Sequence, residues 1–269
     1  MNNSYIITNY NYANGAYGQV SKAINLTNNK PVAIKRIRLD YIEELNINLQ
    51  IKDKINRSFE KYICLLLDYI IEDHIYYDLV FNFYSYTLHD IIYNKYNKHL
   101  HNNTISIIIN NIVSGLYFLN SINIIHTDIT PRNILISYNF IEHKYPIYID
   151  YVNLQVKIAD FSCSVMSNKL INYPLTTIPY RAPEICKYIE NNDMYRVTTK
   201  IDIWSLGCII YEMIHLTTLF KRFTNDQLLI DIDTYMHMRH GNDILYCNLL
   251  QYEYNRIDIQ TLYDNFCFN

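Results

Sequence analysis

The chain has 269 residues, of which 50% are hydrophobic, and its formal net charge is -3 at pH 7. This length suits one large domain or two packed lobes around a sizeable core. The small negative charge gives no electrostatic attraction to nucleic acid or to an anionic membrane, so we expect neither as a partner. The polar N-terminus carries no signal-peptide run, and no segment approaches the roughly 18 apolar residues of a membrane span. We therefore expect an intracellular protein.

Short apolar and β-branched segments dominate the N-terminal third of the chain. With the turn residues between them, they predict strands at residues 5–12, 18–25, 31–38, 63–70 and 75–83. Residues 41–56 carry Leu45, Leu49 and Ile55 between polar residues, which predicts one amphipathic helix. This part is therefore expected to be a small β-rich unit with one main helix.

From about residue 86 the spacing of apolar residues becomes helical. One face of a long helix is traced by Ile105, Ile108, Ile109, Ile112, Leu116 and Leu119. Residues 201–215 predict a second apolar helix, and the remainder predicts shorter helices. We expect a single domain over residues 1–269, with a small lobe at about 1–83 and a mainly helical lobe at about 84–269.

The most informative segment is IIHTDITPRNILI, residues 124–136. In this segment Asp128 and Asn133 follow His126 on one tight loop. An aspartate and an asparagine so placed can converge on a hydroxyl group and on a metal-bound phosphate. The segment therefore predicts phosphoryl transfer.

Three further fragments agree with a phosphate site. The segment YANGAYGQV, residues 12–20, has glycines whose backbone N–H groups can approach phosphate, although such a segment is more often a plain turn. Lys35 ends the apolar stretch VAIK. If its ammonium is buried, it needs an anionic partner, whereas a lysine at the edge of the sheet would simply face water. Asp160 follows an apolar strand and offers the oxygen ligands that Mg²⁺ prefers.

The segments TIPYRAPE (177–184) and DIWSLG (202–207) and the residue Arg256 complete an ordered series. On these motifs the chain resembles the eukaryotic-type protein kinases, from about residue 5 to its C-terminus. The stretches AIKRIRLD, LVFNF and DIWSLGCIIYEM are most similar to the cyclin-dependent serine/threonine kinases. The resemblance implies an α+β fold with two lobes. One is a small antiparallel β-sheet lobe with one main helix, and the other is larger and mainly α-helical.

The resemblance also implies roles for individual residues. Lys35 would hold the α- and β-phosphates of ATP, and Asp128 would accept or orient the substrate hydroxyl. Asn133 and Asp160 would bind a Mg²⁺ ion that bridges the phosphates. Besides Lys35, the implied ATP-binding residues are Tyr12, Ala13, Asn14, Gly15, Ala16, Tyr17, Gly18, Gln19, Val20, Ala33, Phe81, Asn82, Phe83, Tyr84 and Leu135.

Three other matching residues have architectural roles in the family. Glu184 and Arg256 would form a buried ion pair that braces the large lobe. Asp202 would hold the backbone of the loop at His126. Their presence therefore supports the fold more than the activity.

The catalytic loop departs from the family pattern at two positions. Thr127 stands where many of these kinases carry an arginine that pairs with a phosphorylated residue, and Asn172 stands at that phosphorylation position. Both halves of the switch are absent, which predicts activity without phosphorylation of this segment. Thr130 stands where a lysine usually contacts the γ-phosphate. The absence of that charge removes roughly 2–4 kcal/mol of transition-state stabilisation. Arg132 is a candidate to replace part of that charge.

Three further features leave alternatives open. The family has a helix glutamate that pairs with Lys35, and Glu44 is the candidate for it. If Asn48 occupies that position instead, this partner is lost. Residues 138–152 exceed the usual connection and predict a longer β-hairpin. Residues 41–56 contain no recognisable cyclin-binding helix, so a cyclin-type partner is compatible with the resemblance but unsupported.

The expected function is an ATP- and Mg²⁺-dependent protein kinase that transfers the γ-phosphate to serine and threonine hydroxyls of protein substrates. The alternative is a pseudokinase, a binding or regulatory module with weak or no phosphotransfer, which Thr130 and the open position of Glu44 motivate. A small-molecule phosphotransferase shares the loop pattern but has no need of the segment at 177–184.

Overall fold

An antiparallel sheet forms the N-terminal part of the protein, whose computed structural model describes residues 4–15, 18–72, 75–93, 100–138, 153–238 and 248–267. The strands are β1 (Tyr5–Gly15), β2 (Gly18–Asn25), β3 (Lys30–Arg38), β4 (Leu66–Glu72) and β5 (Tyr76–Asn82). Their order is β1-β2-β3-β5-β4, and each neighbouring pair is antiparallel. The predicted strands and the antiparallel sheet are confirmed.

One helix, α1 (Ile42–Lys54), packs between this sheet and the rest of the protein. Leu45 belongs to a buried cluster of the sheet, whereas Ile47 and Ile51 belong to the large core of the helical part. Because α1 buries two sides, its buried residues do not follow the spacing that we predicted. Leu49, expected among the apolar positions, is 37% exposed.

Six helices lie in the second part of the described chain. They are α2 (Leu88–Ile92), α3 (Asn102–Ser121), α4 (Pro183–Asn191), α5 (Lys200–His215), α6 (Asn225–Met238) and α7 (Ile259–Cys267). The longest of them are α3, α5 and α6. The predicted apolar face of α3 is buried throughout, and so is most of α5. The two predicted long helices are therefore confirmed, and they share one core.

Among the described residues, α3 is also long and apolar enough to cross a membrane, by length and composition only. The expectation that no segment approaches a membrane span was therefore too strong. Ile108, Ile109 and Ile112 of α3 are fully buried in the core, and the helix contacts α5 and α7. A core helix of this kind meets the same two criteria as a membrane span.

Short strands frame the loops that follow α3. A three-stranded sheet contains β6 (Tyr86–Thr87), β8 (Ile134–Ser137) and β9 (Gln155–Ile158). Two pairs complete the set, β7 (Ile124–Ile125) with β10 (Val165–Met166), and β11 (Leu170–Ile171) with β12 (Tyr195–Arg196). The catalytic loop thus lies between β7 and β8. The hairpin predicted at 138–152 lies outside the described residues, apart from Tyr138.

Candidate active site

A cleft of about 540 Å³ lies between the sheet and the loops of the helical part. Its walls include these predicted residues: Tyr12, Gly18, Val20, Ala33, Lys35, Phe81, Asn82, Phe83, Tyr84, Asn133, Leu135 and Asp160. The side chain of Gln19 is exposed and does not line the cleft, because successive residues of a strand point to opposite faces. Ala13, Asn14 and Gly15 belong to β1, and Ala16 and Tyr17 lie outside the described residues.

The cleft also has lining residues that the sequence did not predict: Cys64, Ser85, Tyr86, Thr87, Asp90, Arg132 and Ala159. Ala159 precedes Asp160, so its neighbour could have identified it. Cys64 carries no such signal, and burial raises the pKa of its thiol to about 12, which keeps the thiol protonated. Ser85, Tyr86 and Thr87 belong to the connection between β5 and α2, and Asp90 lies in the first turn of α2. The path of this part of the chain depends on tertiary packing.

The apolar end of the cleft is a slot suited to a flat ring. Val20 and Ala33 line it from the sheet, and Leu135 lines it from β8. At its outer end the rings of Tyr12 and Phe83 meet edge to face, with their centroids 5.3 Å apart. These contacts place apolar surface where the resemblance expects adenine.

Gly18 brings β2 close to β3 beside Lys35. A Cβ atom on Gly18 would lie 2.6 Å from the carbonyl oxygen of Arg36 and 3.4 Å from Cε of Lys35. The contact with the Arg36 carbonyl is too short, so any side chain here would force the two strands apart. Glycine is required at this position for the close approach of backbone atoms.

The amine of Lys35 lies between two carboxylates. Its Nζ atom donates to Glu44 Oε1 at 2.6 Å and to Asp160 Oδ1 at 2.8 Å. Glu44, in the first turn of α1, is therefore the partner that the sequence left open. Asn48, one turn later, instead donates to the backbone carbonyl of Glu44 at 2.8 Å.

Burial and charge act in opposite directions on this cluster. Burial opposes the charge on Lys35, but Asp160 and Glu44 together raise its pKa. Burial also opposes the charge on Asp160, yet Lys35 lowers the pKa of that carboxyl. Burial outweighs Lys35 at Glu44 and raises its pKa, and Glu44 Oε2 has no hydrogen-bond partner among the described residues. The ammonium thus stays charged at a site where phosphate can bind.

Asp202 of α5 holds the backbone of the catalytic loop. Its carboxylate accepts the backbone N–H of His126 at 2.9 Å and that of Thr127 at 2.8 Å, as the resemblance implies. Thr127 adopts a left-handed backbone conformation with φ of 67°, and its hydroxyl donates to the carbonyl of Cys163 at 2.7 Å. Burial raises the pKa of Asp202 to about 6. At position 127, where the family usually has an arginine, the structure thus has a neutral hydrogen bond from Thr127 to Cys163.

Asp128 is fixed through both of its carboxylate oxygens. Asn133 Nδ2 donates to Asp128 Oδ2 at 3.0 Å and to the Asp128 carbonyl at 2.8 Å. Thr177 donates to Asp128 Oδ1 through its hydroxyl at 2.7 Å and through its backbone N–H at 3.0 Å. The carboxylate is therefore oriented before any substrate arrives. Oδ1 already accepts two hydrogen bonds, whereas Oδ2 accepts one and keeps capacity for another.

The donor set fits a metal ion that is shared with phosphate. Asp160 and Asn133 both line the cleft, and they present a carboxylate and an amide oxygen. Because both N–H bonds of the Asn133 amide point to Asp128, its oxygen is the atom left for the cleft. The described residues contain no cluster of three His, Cys, Asp or Glu side chains that could hold a metal alone. Phosphate oxygens and water would have to complete the coordination.

We expected the charge of Arg132 to replace part of the lysine charge that is missing at Thr130, and the structure does not support this. Thr130 is buried. The guanidinium of Arg132 lies on α2, where Nη2 is 3.0 Å from His89 Nε2. In the structure Arg132 therefore contacts α2, and no contact with Asp128 supports it as a replacement for the lysine.

Strand pairing and hydrogen bonds to backbone carbonyls fix the segment after Asp160. The strand β11 pairs with β12, and the hydroxyl of Tyr188 donates to the carbonyl of Tyr173. Arg181 donates to the carbonyls of Leu175 at 2.9 Å and Thr176 at 2.6 Å. Asn172, at the phosphorylation position of the family, is exposed.

The predicted brace of the large lobe is present. Arg256 donates to both carboxylate oxygens of Glu184, at 2.6 and 3.0 Å, and its guanidinium lies 5.0 Å from the Trp204 ring centre. Such a bidentate pair is among the strong hydrogen-bonded contacts of protein interiors. It joins α4, and with it the segment at 177–184, to the loop that precedes α7.

Comparison with known proteins agrees with this geometry. The protein kinase domain family matches residues 12–256. A protein named as a probable cell division protein kinase of Encephalitozoon cuniculi (strain GB-M1) is 31% identical over 209 residues, which cover 77% of this chain and 70% of that protein. A dual specificity protein kinase YAK1 homolog of Arabidopsis thaliana is 27% identical over 206 residues, which cover 74% of this chain but 20% of that protein. The chain therefore belongs to the protein kinase family, as a divergent member similar to cyclin-dependent kinases.

Proposed function

We propose that this protein kinase uses ATP to phosphorylate serine and threonine hydroxyls of protein substrates. The observation that carries the proposal is the position of Asp128, which Asn133 holds on one oxygen and Thr177 on the other. The cleft contains Lys35, whose ammonium forms ion pairs with Glu44 and Asp160. Asp128 is not itself among the residues that line this cleft. Its carboxylate contacts Asn133, which lines the cleft together with Lys35.

The residues of the chain would divide the reaction between them. Lys35 binds the phosphates, and Glu44 holds the ammonium of Lys35 in place. Asp128 accepts the hydrogen bond of the substrate hydroxyl and takes its proton as the oxygen attacks the γ-phosphorus. The bond between the γ-phosphorus and the bridging oxygen breaks, and ADP leaves. A Mg²⁺ ion held by Asp160 and Asn133 would neutralise charge on the phosphates.

The contact of Thr177 with Asp128 supports serine and threonine as acceptors. Thr177 belongs to the segment that binds peptide in kinases, and its hydroxyl touches the carboxylate of Asp128 directly. The segment at 177–184, on which a substrate peptide would lie, is therefore in direct hydrogen-bond contact with the proposed base Asp128. A short side chain such as serine or threonine can reach Asp128 from a peptide that lies on this segment.

The pseudokinase alternative loses one of its two reasons, because Glu44 does pair with Lys35. The replacement at Thr130 remains as its basis. A rate assay separates the two functions.

The test is transfer of label from γ-labelled ATP to a generic basic protein, followed by phosphoamino acid analysis. We expect phosphoserine or phosphothreonine with the unmodified chain, and a loss of roughly 100- to 1000-fold in Asp128→Asn. Asp193→Asn removes a carboxylate from an exposed turn and serves as the matched control. Equal transfer by the unmodified chain and Asp128→Asn, or none by either, would contradict the proposal, and phosphotyrosine alone would contradict the acceptor class.

A further inference from the structure

Arg132 is a cation at the mouth of the cleft that has no carboxylate partner. It lines the cleft next to Asn133, is exposed, and follows Asp128 on the same loop. No ion pair to Arg132 is present within the described residues. An arginine so close to the base is therefore available to a bound substrate.

The buried carboxylate of Glu212, which interacts with the charge of Arg132, already has hydrogen-bond partners. Glu212 is fully buried, and its charge is close enough to interact with Arg132. Its two oxygens accept the hydroxyls of Tyr93 at 2.6 Å and Tyr180 at 2.7 Å. Because both oxygens are occupied and enclosed, Glu212 does not draw Arg132 inward into an ion pair.

His89 holds the guanidinium in one orientation. Arginine can only donate, so His89 Nε2 accepts from Arg132 and the imidazole is neutral, with its proton on Nδ1. The ring of His89 lies against that of Tyr93, with centroids 4.8 Å apart. Burial and the charge of Arg132 lower the pKa of His89, against the opposing effect of Asp90. The arginine is thus preorganised, since a neutral acceptor fixes its orientation without cancelling its charge.

We propose that Arg132 selects protein substrates that carry an acidic side chain near the phosphorylated residue. The inference rests on the proposed function, because it assumes that a peptide lies across Asp128 and Thr177. A carboxylate is the ligand that the planar guanidinium binds best in bidentate geometry.

A role toward the transferred phosphate fits the geometry less well. The phosphate-binding groups Lys35 and Asp160 meet at the inner end of the cleft. Arg132 instead extends to His89 on α2, at the outer side. A group there is placed to meet the peptide.

The test uses short serine peptides built otherwise from alanine, with one glutamate moved through each position beside the serine. Each peptide has a glutamine counterpart. At the best position we expect glutamate to raise kcat/KM about fivefold over glutamine, mainly through KM. This ratio should approach one in Arg132→Gln and be intermediate in Arg132→Lys, because lysine cannot bind in a bidentate manner. Higher salt should lower the ratio in the unmodified chain.

Two controls separate the local effect from others. Arg57→Gln removes the same charge from an exposed turn far along the chain and should keep the ratio. His89→Gln keeps a neutral acceptor and should retain most of the preference, whereas His89→Leu should weaken it. A ratio near one at every position in the unmodified chain, or a ratio that survives in Arg132→Gln, overturns the inference.

Peptide binding without ATP decides the inference even if no peptide is phosphorylated. Fluorescence anisotropy compares the glutamate and glutamine peptides on the unmodified chain and on Arg132→Gln. A preference for glutamate that requires Arg132 supports the inference although the proposed kinase function would have failed. Equal affinity for both peptides overturns the inference, whatever the phosphotransfer assay shows.

Discussion

On the sheet side of the cleft, Lys35 is enclosed by Glu44 and Asp160, and all three side chains make short charged hydrogen bonds. On the loop side, Thr127 and Thr130 stand where basic residues are expected, and both are buried. Neutral contacts have taken over there, such as the hydrogen bond from Thr127 to Cys163. The nucleotide side thus keeps the charges of the family, while the substrate side keeps its shape with fewer of them.

The largest expected effect comes from breaking the intact side. Lys35→Met should lower kcat/KM roughly 1000-fold, because it removes the cation from the phosphates and leaves two carboxylates facing each other. Label transfer from ATP measures the change. Lys30→Met, on an exposed position of the same strand, should leave the rate near that of the unmodified chain. A similar loss in both variants would show that the position of Lys35 has no special role.

Asp202 tests how the substrate side keeps its shape. Burial raises its pKa from 3.8 to about 6, so the folded protein binds this proton more tightly than the unfolded chain. The contribution of Asp202 to the free energy of unfolding therefore grows as the pH falls through about 6 and is lost as the pH rises. Between pH of about 8 and about 4.5 the change should be roughly 1–3 kcal/mol.

Urea unfolding of the unmodified chain and of Asp202→Asn at both pH values isolates this contribution. The difference between the two proteins should depend on pH with the stated sign, because asparagine does not titrate. The same pH dependence in both proteins would mean that Asp202 does not carry the proton.

Thr130→Lys is the attempt to restore the missing charge. If the loss at Thr130 limits the rate, the lysine should raise kcat by roughly tenfold or more, since it places a cation two residues from Asp128. Thr130→Met has a long side chain without charge and serves as the control. Unchanged kcat in Thr130→Lys would show that the substrate side has compensated fully for the lost charge.

The smallest effect is expected at the phosphorylation position. Asn172→Ala should change kcat/KM by less than about twofold, because Asn172 is exposed and the segment is fixed by β11, β12 and Arg181. Steady-state kinetics of the purified variant measures it. A loss of tenfold or more would show that Asn172 itself positions the segment.

The sequence predicted the elements well where periodicity was strong. The strands β1 to β5 and the helices α3 and α5 lie where β-branched runs and the helical spacing placed them. The prediction for α1 succeeded in position but not in orientation, because a helix between two cores has no single apolar face. Leu49 is exposed for that reason, while Glu44 and Asn48 are buried.

Motifs located most of the site, and tertiary packing supplied the rest. Lys35, Asn133 and Asp160 line one cleft although they are far apart in the chain. Spacing alone could not choose between Glu44 and Asn48, because the path of the chain between β3 and α1 decides which one reaches Lys35. Cys64 and Asp90 were not predicted, since no local pattern connects them to the cleft.

The anchoring of α1 in two cores has a mechanical consequence. Leu45 ties the helix to the sheet, and Ile47 and Ile51 tie it to the helical part. A swing of α1 that separated Glu44 from Lys35 would also have to open apolar contacts on both of its sides. Amide hydrogen exchange in α1 should therefore report on both halves of the molecule together, and a ligand that grips Lys35 should slow exchange along the whole helix.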